Sequence, residues 1–488
     1  MSLLRQDSWS ERTTMAHDER SFTEFKKDFY GKFPDLSVFE CGDVNLLKVV
    51  LDGLKVNYAE RFPARTPVFS SLLFHRAFLF LKRKRLRGTG EAVKELRAAG
   101  GKNAWCVDFE GKSSPGENGQ LVSFYFSRLM RILGSSAALL NGSSRKTYSG
   151  GIAFGDVLAE GMVESLSADD KVFRDHLRRT FTRIRETGKL NATELLSVKN
   201  AFQRFFDSAR GWNRIFQTAK PECVFFVMHY HREGFVYAMK KNGVRSVELQ
   251  HGLIAKEDIF YVFPPQVRSI RDRALFADRI FVYGEYWKEV LAEGAEYGEE
   301  HVRVLGYYAD EGAPADTKLP DAVLKFIDGK KTALVCTQTF MHDEYDLLVR
   351  RLSALALEKG WNCVFLVKPH PHEQLADYAP LDNLPNVKTV QVPLPLLMQS
   401  ADVHFSVYST THFDAARFGV KSIALPSEKY GDYVRGITAS GVAELYDFES
   451  DPFSGGEKSR MSEKQKTFFY APFDVSSFPA ERLIAMTK

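Results

Sequence analysis

Short apolar runs alternate with amphipathic stretches from residue 222 onward. ECVFFVMHY (222–230) is a compact apolar run rich in β-favouring residues, and HREGFVYAMKKNG after it reads as a helix ending at Gly243. VRSVELQHG (244–252) is a second strand and loop. ADRIFVYGEYWKEVLAEG gives a strand, a turn at Gly284 and a helix, and HVRVLGY (301–307) another strand. Strand–helix alternation at this interval predicts a parallel sheet.

ADEGAPADTKLPDA (309–322), rich in Pro, Ala, Gly and Asp, interrupts the pattern and reads as a linker. A second series follows. KTALVCTQ is a strand, EYDLLVRRLSALALEKG a helix closed by Gly360, and WNCVFLVKPHP a strand and loop. VKTVQV is a strand, LPLLMQSA a short helix, DVHFSVYS a strand, THFDAARFG a helix and VKSIALPS a strand. The expected architecture is α/β: two doubly wound domains, over 151–308 and 323–488, facing each other across a cleft bounded by the carboxyl ends of their strands. From about 155 to 218 the pattern is helical, with apolar residues three and four apart in TELLSVKNAFQRFFDSARGWNRIF. Residues 1–150 form an additional, mostly helical N-terminal region whose role the pattern does not assign.

Composition changes this picture little. The chain has 488 residues, 44% hydrophobic and 26% charged, which suits an ordinary globular protein of two or three domains. A net charge of +4 permits an anionic ligand or membrane surface without demanding one. No dense basic stripe interleaves with aromatics, so no nucleic-acid partner is expected. The five cysteines are scattered, with no CxxC pair, and read as reduced, mostly buried thiols of a cytoplasmic protein with no zinc site. The first twenty residues are polar and lack an apolar signal core. No apolar run reaches the roughly 18 residues needed to span a bilayer. In LLFHRAFLFLKRKRLR (72–87) apolar residues precede Lys82, Arg83, Lys84, Arg85 and Arg87. This is either a peripheral anchor on anionic lipid or a packed helix whose basic end complements the helix dipole.

The polar residues of interest sort to expected strand carboxyl ends or the helix starts beyond them, where open α/β sheets bind ligands: His229, His231, Gln250, His251, Gly284, Gln338, His370, Ser409 and Thr410. In HFSVYSTTHFDAARFG an apolar strand runs into Ser409, Thr410 and Thr411 and then a helix. Hydroxyls and free amides at a helix N-terminus make a phosphate cradle; the same residues also suit plain N-capping. In LVKPHPHEQL (366–375), Pro369 and Pro371 stiffen the loop on both sides of His370. His370 can then donate to a phosphate, Lys368 adds charge, and Glu373 can accept from a ribose hydroxyl; the alternative is a polar turn with incidental histidines. The two motifs, on strands expected to be close in one sheet, together describe a nucleotide mono- or diphosphate site.

That pairing, His370-Pro371 with Ser406-Val407-Tyr408-Ser409-Thr410 and then Phe413-Asp414, resembles the donor domain of bacterial GT-B glycosyltransferases that build cell-surface polymers. Sialyltransferase-like and Kdo-transferase-like enzymes carry a His-Pro motif and a later Ser/Thr turn and use CMP-activated sugars. CDP-glycerol glycerophosphotransferases carry a similar pair, and EKYGDYVRGI (428–437) is similar to them. The likeness is close over roughly 330–435. It implies two Rossmann-like domains, with the acceptor on 151–308 and the nucleotide donor on 323–488. The donor nucleotide would be held by Lys368, His370, Pro371, Glu373, Gln338, Ser409, Thr410 and Thr411, its phosphates on His370 and the Ser409/Thr410 helix start, which would stabilise the departing group.

The resemblance also places the loop Gln250-His251-Gly252 across the cleft. His251 is the natural base, since imidazole titrates near neutral pH, and Gly252 allows close backbone approach. Glycerophosphotransferases usually show Trp-His-Gly here, and the departure at Gln250 favours a sugar donor. Asp258 or Glu233 is an alternative catalytic carboxylate, as in some Kdo-transferase-like enzymes, and Glu248 and Glu257 flank the same loop. His229, His231, Gly284 and Glu285 complete the expected cleft, although Gly284 and Glu285 equally suit a structural helix start.

The implied activity is transfer of a sugar such as Kdo or a sialic-acid-like residue from a CMP-activated donor. The acceptor would be a growing bacterial surface glycan, capsule or lipopolysaccharide, and the enzyme would be cytoplasmic or peripheral at the inner membrane through 72–87. With no DxD-type acidic cluster, no obligatory metal or cofactor is expected. The alternatives are a glycerophosphotransferase or nucleotide-sugar 2-epimerase on the same fold, or a non-catalytic nucleotide-binding scaffold of a polysaccharide assembly.

Overall fold

A computed structural model of the chain describes residues 22–55, 89–109, 113–115, 120–142, 151–256, 258–270, 272–294, 296–309, 318–339, 341–371, 373–454, 462–473 and 479–487. The basic stretch 72–87, and with it the expected membrane contact, lies outside the described residues, as does most of the expected linker. Among the described residues no helix is long and apolar enough to cross a membrane.

Two parallel sheets organise the protein. The first holds β1 (Ala104–Asp108), β2 (Ala137–Asn141), β3 (Ile152–Ala153), β4 (Cys223–Val227), β5 (Arg245–Leu249), β6 (Arg279–Val282) and β7 (Val302–Val304), in the order β7-β6-β5-β4-β1-β2-β3. The second holds β8 (Lys331–Cys336), β9 (Cys363–Lys368), β10 (Val387–Thr389), β11 (Val403–Ser406), β12 (Lys421–Ala424) and β13 (Glu444–Leu445), in the order β10-β9-β8-β11-β12-β13. In each, the chain begins mid-sheet, builds outward on one side, then crosses back and builds on the other. The reversal opens a crevice at the strand carboxyl ends, between β1 and β4 in one sheet and between β8 and β11 in the other. Strands sandwiched between helices must be apolar on both faces. All five residues of CVFFV in β4 and five of six in CVFLVK in β9 are accordingly buried.

The boundary expected at residue 150 falls inside the first sheet, because β1, β2 and β3 all precede residue 154. AWCVD and AALLN are as buried as β4, but each is a five-residue run between Gly/Ser-rich joints and does not announce a βα alternation. Helix α1 (Leu47–Lys55) packs on the long helix α2 (Ala192–Thr218). A capping box starts α2, with Glu194 N–H bonded to Asn191 Oδ1 at 2.9 Å and Asn191 N–H to Glu194 Oε2 at 2.8 Å. Phe202, Phe205, Phe206, Trp212 and Phe216 form its buried face. Helix α3 (Glu233–Lys241) follows β4.

The C-terminus does not stay with the second sheet. Past helices α4 (Glu285–Ala292), α5 (Thr411–Phe418) and α6 (Glu463–Phe469), the chain returns to the first sheet as a strap. Ala471 N–H bonds to Tyr283 O at 2.8 Å, Tyr307 N–H to Ala471 O at 3.0 Å, and Trp287 Nε1–H to Phe469 O at 2.9 Å. An apolar joint forms where strap and halves meet: Phe413 of α5 lies with its ring centroid 4.5 Å from Trp287 and 5.2 Å from Phe469. Arg417, one turn on, stacks 4.2 Å over the Tyr307 ring.

A Cβ at Gly284 would come within 2.5 Å of the Phe469 carbonyl oxygen and closer still to that of Phe468. Its φ of −162° is ordinary extended backbone, so the glycine serves close packing alone. Gly284→Ala is expected to displace the strap and cost roughly 1–3 kcal/mol of stability, measured by urea unfolding. Unchanged stability would contradict the strap.

The second sheet also buries two histidines. Ser422 Oγ lies 2.8 Å from His404 Nδ1 and 2.7 Å from His412 Nδ1. Burial pushes the His412 imidazole down to about 4 and His404 well below its ordinary value. Both folded-state values lie below the unfolded value of roughly 6.5. The unfolded chain therefore binds more protons, and stability falls as pH drops below about 6.5. His412 alone should account for about 3 kcal/mol lost by pH 4. Urea midpoints measured at neutral pH and near pH 5 should show the decline, and His412→Asn should flatten it.

Candidate active-site cleft

The crevice of the second sheet is bridged by one side chain. Gln338, just past β8, donates from Nε2 to the Tyr408 carbonyl and accepts the Tyr408 N–H on Oε1 at 2.9 Å. The Tyr345 hydroxyl lies 3.1 Å from Gln338 Oε1 and 3.0 Å from Ser406 Oγ, and accepts the Val407 N–H at 3.0 Å. Both ends of the Gln338 amide are thus used in holding the β11 exit, and it serves as a clamp where a nucleotide ligand was expected.

The His370 loop is held from within by Glu373. The Thr337 hydroxyl donates to Glu373 Oε2 at 2.5 Å, the His370 N–H to the same oxygen at 3.0 Å, and the Tyr378 hydroxyl to Oε1 at 2.9 Å. Both carboxylate oxygens are engaged, so Glu373 shapes the loop instead of standing open to a ribose. His370 is half-buried with its backbone fixed, Lys368 is half-buried at the end of β9, and Pro371 is exposed. Residue 372 lies outside the described residues.

At the start of α5, Thr410 makes no side-chain cap bond, and Ser409 Oγ accepts the Thr411 N–H at a long 3.3 Å. Ser409, Thr410 and Thr411 are all half-buried. The positive end of the helix dipole and lightly used hydroxyls meet here, which is the chemistry of an anion cradle. Tyr408 packs behind it against Tyr430 and Tyr433, with centroids 4.7 and 5.0 Å away.

The first sheet faces this turn with the loop after β5. Gln250 is buried and fixed on every side. Its Oε1 accepts the Tyr283 N–H at 2.9 Å, its Nε2 donates to Gly252 O at 2.9 Å, and its carbonyl accepts the Tyr308 hydroxyl. His251 emerges half-buried, with Nε2 3.0 Å from the Tyr230 hydroxyl. A Cβ on Gly252 would lie 4.0 Å from Thr410 Cγ2, so the His251–Gly252 loop and the Ser409–Thr410 turn meet across the cleft.

Beneath the loop, fully buried Glu248 accepts the His229 N–H at 3.1 Å and the Tyr261 hydroxyl at 2.6 Å, and lies 2.6 Å from His229 Nδ1. Burial raises the Glu248 carboxyl, but the His229 ring and these hydrogen bonds outweigh it and hold it below the ordinary value. Burial depresses His229. The pair is therefore a carboxylate and a neutral imidazole that donates from Nδ1.

The remaining expected residues go elsewhere. Asp258 caps a turn, its Oδ1 accepting the Phe260 N–H at 2.8 Å. Glu233 and His231 line a separate cavity in the first half. Gly284 is a packing position under the strap, and Glu285 is exposed in the first turn of α4, 3.7 Å from Lys288. Among the described residues no group of three His, Cys, Asp or Glu side chains is placed to share a metal. The supporting hydroxyls of Thr337, Tyr230, Tyr345 and Tyr378 were not singled out from sequence; the one signal was that each lies in or beside a histidine-bearing or strand-end motif.

Glu373→Ala leaves the Thr337 and Tyr378 hydroxyls without their acceptor and the His370 N–H with Thr337 Oγ1 alone, which costs a few kcal/mol locally. The amides of His370, Glu373 and Gln374 should then lose at least about tenfold in hydrogen-exchange protection, with a smaller loss in Glu373→Gln. Equal protection in all three proteins would mean that the carboxylate does not hold the loop.

No protein-family model matches the chain, and no curated protein matches its sequence. The resemblance to sialyl-, Kdo- and glycerophosphotransferases therefore stands on the quoted motifs alone. Solved structures share the general arrangement. The glycosyltransferase SnogD from Streptomyces nogalater is 14% identical over 79% of this chain and 100% of its own, with a TM-score of 0.46. UDP-GlcNAc 2-epimerase from Neisseria meningitidis bound to UDP-GlcNAc is 12% identical over 79% and 98%, at 0.42. The spinosyn rhamnosyltransferase SpnG complexed with thymidine diphosphate is 15% identical over 79% and 95%, at 0.40. With every one of these scores below 0.5, function has to be read from this chain's own geometry.

Proposed function

We propose that the protein is a nucleotide-sugar-dependent glycosyltransferase of GT-B type. The observation that carries this reading is the approach of the His251–Gly252 loop to the Ser409–Thr410 turn across the two halves. The donor's phosphates lie on Ser409, Thr410 and the amides of α5, with His370 and Lys368 beside them. As the glycosidic bond to the nucleotide breaks, negative charge grows on the leaving phosphate, and the helix dipole and His370 stabilise it more than the ground state. His251, oriented by Tyr230, takes the proton of the acceptor hydroxyl as that oxygen attacks the anomeric carbon. The donor is CMP-activated, a Kdo- or sialic-acid-like sugar, and the acceptor a bacterial surface glycan; the quoted motifs support this finer assignment.

Calorimetric titration with CMP, CDP, UDP and GDP tests the donor site. A cytidine nucleotide should bind best, and His370→Ala should weaken it at least about tenfold. Preference for UDP would redirect the reading to a UDP-sugar transferase or a 2-epimerase, and no binding to any would leave a scaffold. His251→Ala should keep nucleotide affinity and lower turnover by about 10²–10⁴. Full turnover in that variant would remove His251 from the chemistry.

A further inference from the structure

A cavity of about 730 Å³ lies in the first half, within the range of small-ligand pockets. Every described residue lining it precedes residue 235, so it is separate from the cleft formed by the His251, His370 and Ser409 loops. It sits at the other topological crevice, between β1 and β4. Phe109 follows β1, residues 231–234 follow β4, and helices α1 and α2 supply Asp52, Ser197, Asn200 and Arg204. Ligands of doubly wound sheets bind at such a reversal.

Three further observations point to an occupant. Glu233 is 5% exposed, and its Oε1 has no hydrogen-bond partner among the described residues. A buried polar atom left without a partner costs about 1–3 kcal/mol, which a ligand hydroxyl in the cavity would recover. The turn leading to it holds two non-glycine residues in the left-handed region, Met228 at φ 62° and His231 at φ 63°. Such strain persists where the surroundings enforce it and clusters at binding sites. A second carboxylate, Asp52, is 4% exposed and fixed at the same wall by His231 Nδ1 and by Arg204, 3.7 Å away.

The chemistry of the lining selects the ligand. Glu233, Asp52, Asn200 and Ser197 offer carboxyl, amide and hydroxyl groups, while Phe109, Phe154 and Trp212 offer aromatic surface. Burial first, and then the charge of Asp52, raise the Glu233 carboxyl to about 8. The charges of Lys48 and Arg204 oppose this rise, and a carboxyl in that range accepts and, when protonated, also donates. Of the cationic lining groups, His231 and Arg204 face Asp52 and Arg232 stacks 4.5 Å over the Phe109 ring, so the polar groups offered to a ligand are carboxyl, amide and hydroxyl. A neutral polyhydroxylated ring satisfies them through its hydroxyls and lays its C–H face on the aromatics.

We propose that this cavity is a binding site for a neutral pyranose ring, recognised through Glu233, Asp52 and Asn200. The assignment does not depend on the transferase reading.

The test uses the full chain and a panel of methyl pyranosides (gluco, galacto, manno and N-acetylglucosamine), with glucuronate as the anionic counterpart. Binding is followed by tryptophan fluorescence and by hydrogen exchange of residues 228–236. At least one neutral glycoside should bind with millimolar affinity or better and protect this turn, with glucuronate at least about tenfold weaker. Glu233→Leu, similar in size, should abolish that binding while urea unfolding and nucleotide titration stay as in the parent; Glu233→Gln should retain part of it. Failure of every glycoside to protect the turn, stronger binding of glucuronate, or full binding by Glu233→Leu would each overturn the site. Glycoside binding without any nucleotide binding would sink the transferase reading and leave this one intact.

Discussion

A carboxylate that cannot reach water has to be satisfied by the protein, and Glu248 sits in the middle of the first sheet with no exposure. Its partners are the backbone and ring of His229 and the hydroxyl of Tyr261. Leaving any of these without the carboxylate would strand a polar group in the core. The exits of β4 and β5 and the turn after Asp258 are therefore locked to one another. Tyr230, the next residue after His229, is aimed at His251 as a consequence. The geometry of the candidate base thus follows from one buried charge.

The second half solves the same problem with an amide. Gln338 pairs with both backbone groups of Tyr408 across the β8–β11 crevice and sets where α5 begins. In both halves a polar side chain, buried Glu248 in the first and half-buried Gln338 in the second, ties together adjacent strand exits, so the loops beyond them inherit the rigidity of the sheets. Helix α5 then has two duties. Its start carries the N-cap Thr410 and the first residue Thr411, and its later residues Phe413 and Arg417 make the joint with Trp287 and Tyr307. The hydroxyl turn and the joint are therefore carried by one short helix and keep a fixed spacing.

Much of this was legible in the chain. Continuous apolar runs such as CVFFV and CVFLVK mark strands buried on both faces, and Gly243 and Gly360, at φ 64° and 65°, end helices where expected. The sorting of His251, His370, Ser409 and Thr410 to strand exits held, and the structure places His251's loop opposite Thr410. Harder to read were the short strands Ala104–Asp108 and Ala137–Asn141, which pair with each other and join the rest of the sheet only where Ala104 meets the distant Cys223. Lys48 and Asp52 sit four apart in LKVVLDGLK, a helix whose other residues, before the terminal Lys55, are apolar or glycine. Charges on such a face are a legible sign of a buried polar site, but their partners His231, Glu233 and Arg204 come from distant segments.

What the sequence determined by itself is local: the period of apolar residues, the turn glycines, and the residue types available at each strand exit. These depend on backbone sterics and nearest-neighbour burial, which act within a few residues. What only the tertiary structure decided is which of those residues share a space. Glu373 and Gln338 look like ligands in sequence and become supports, because Thr337, Tyr378 and Tyr408 arrive beside them from other segments. Glu233 reads as one acid among several and becomes part of the wall of a cavity, because α1 and α2 fold over it. Hydrogen bonding and desolvation depend on distance in space, and the chain's order does not encode that distance.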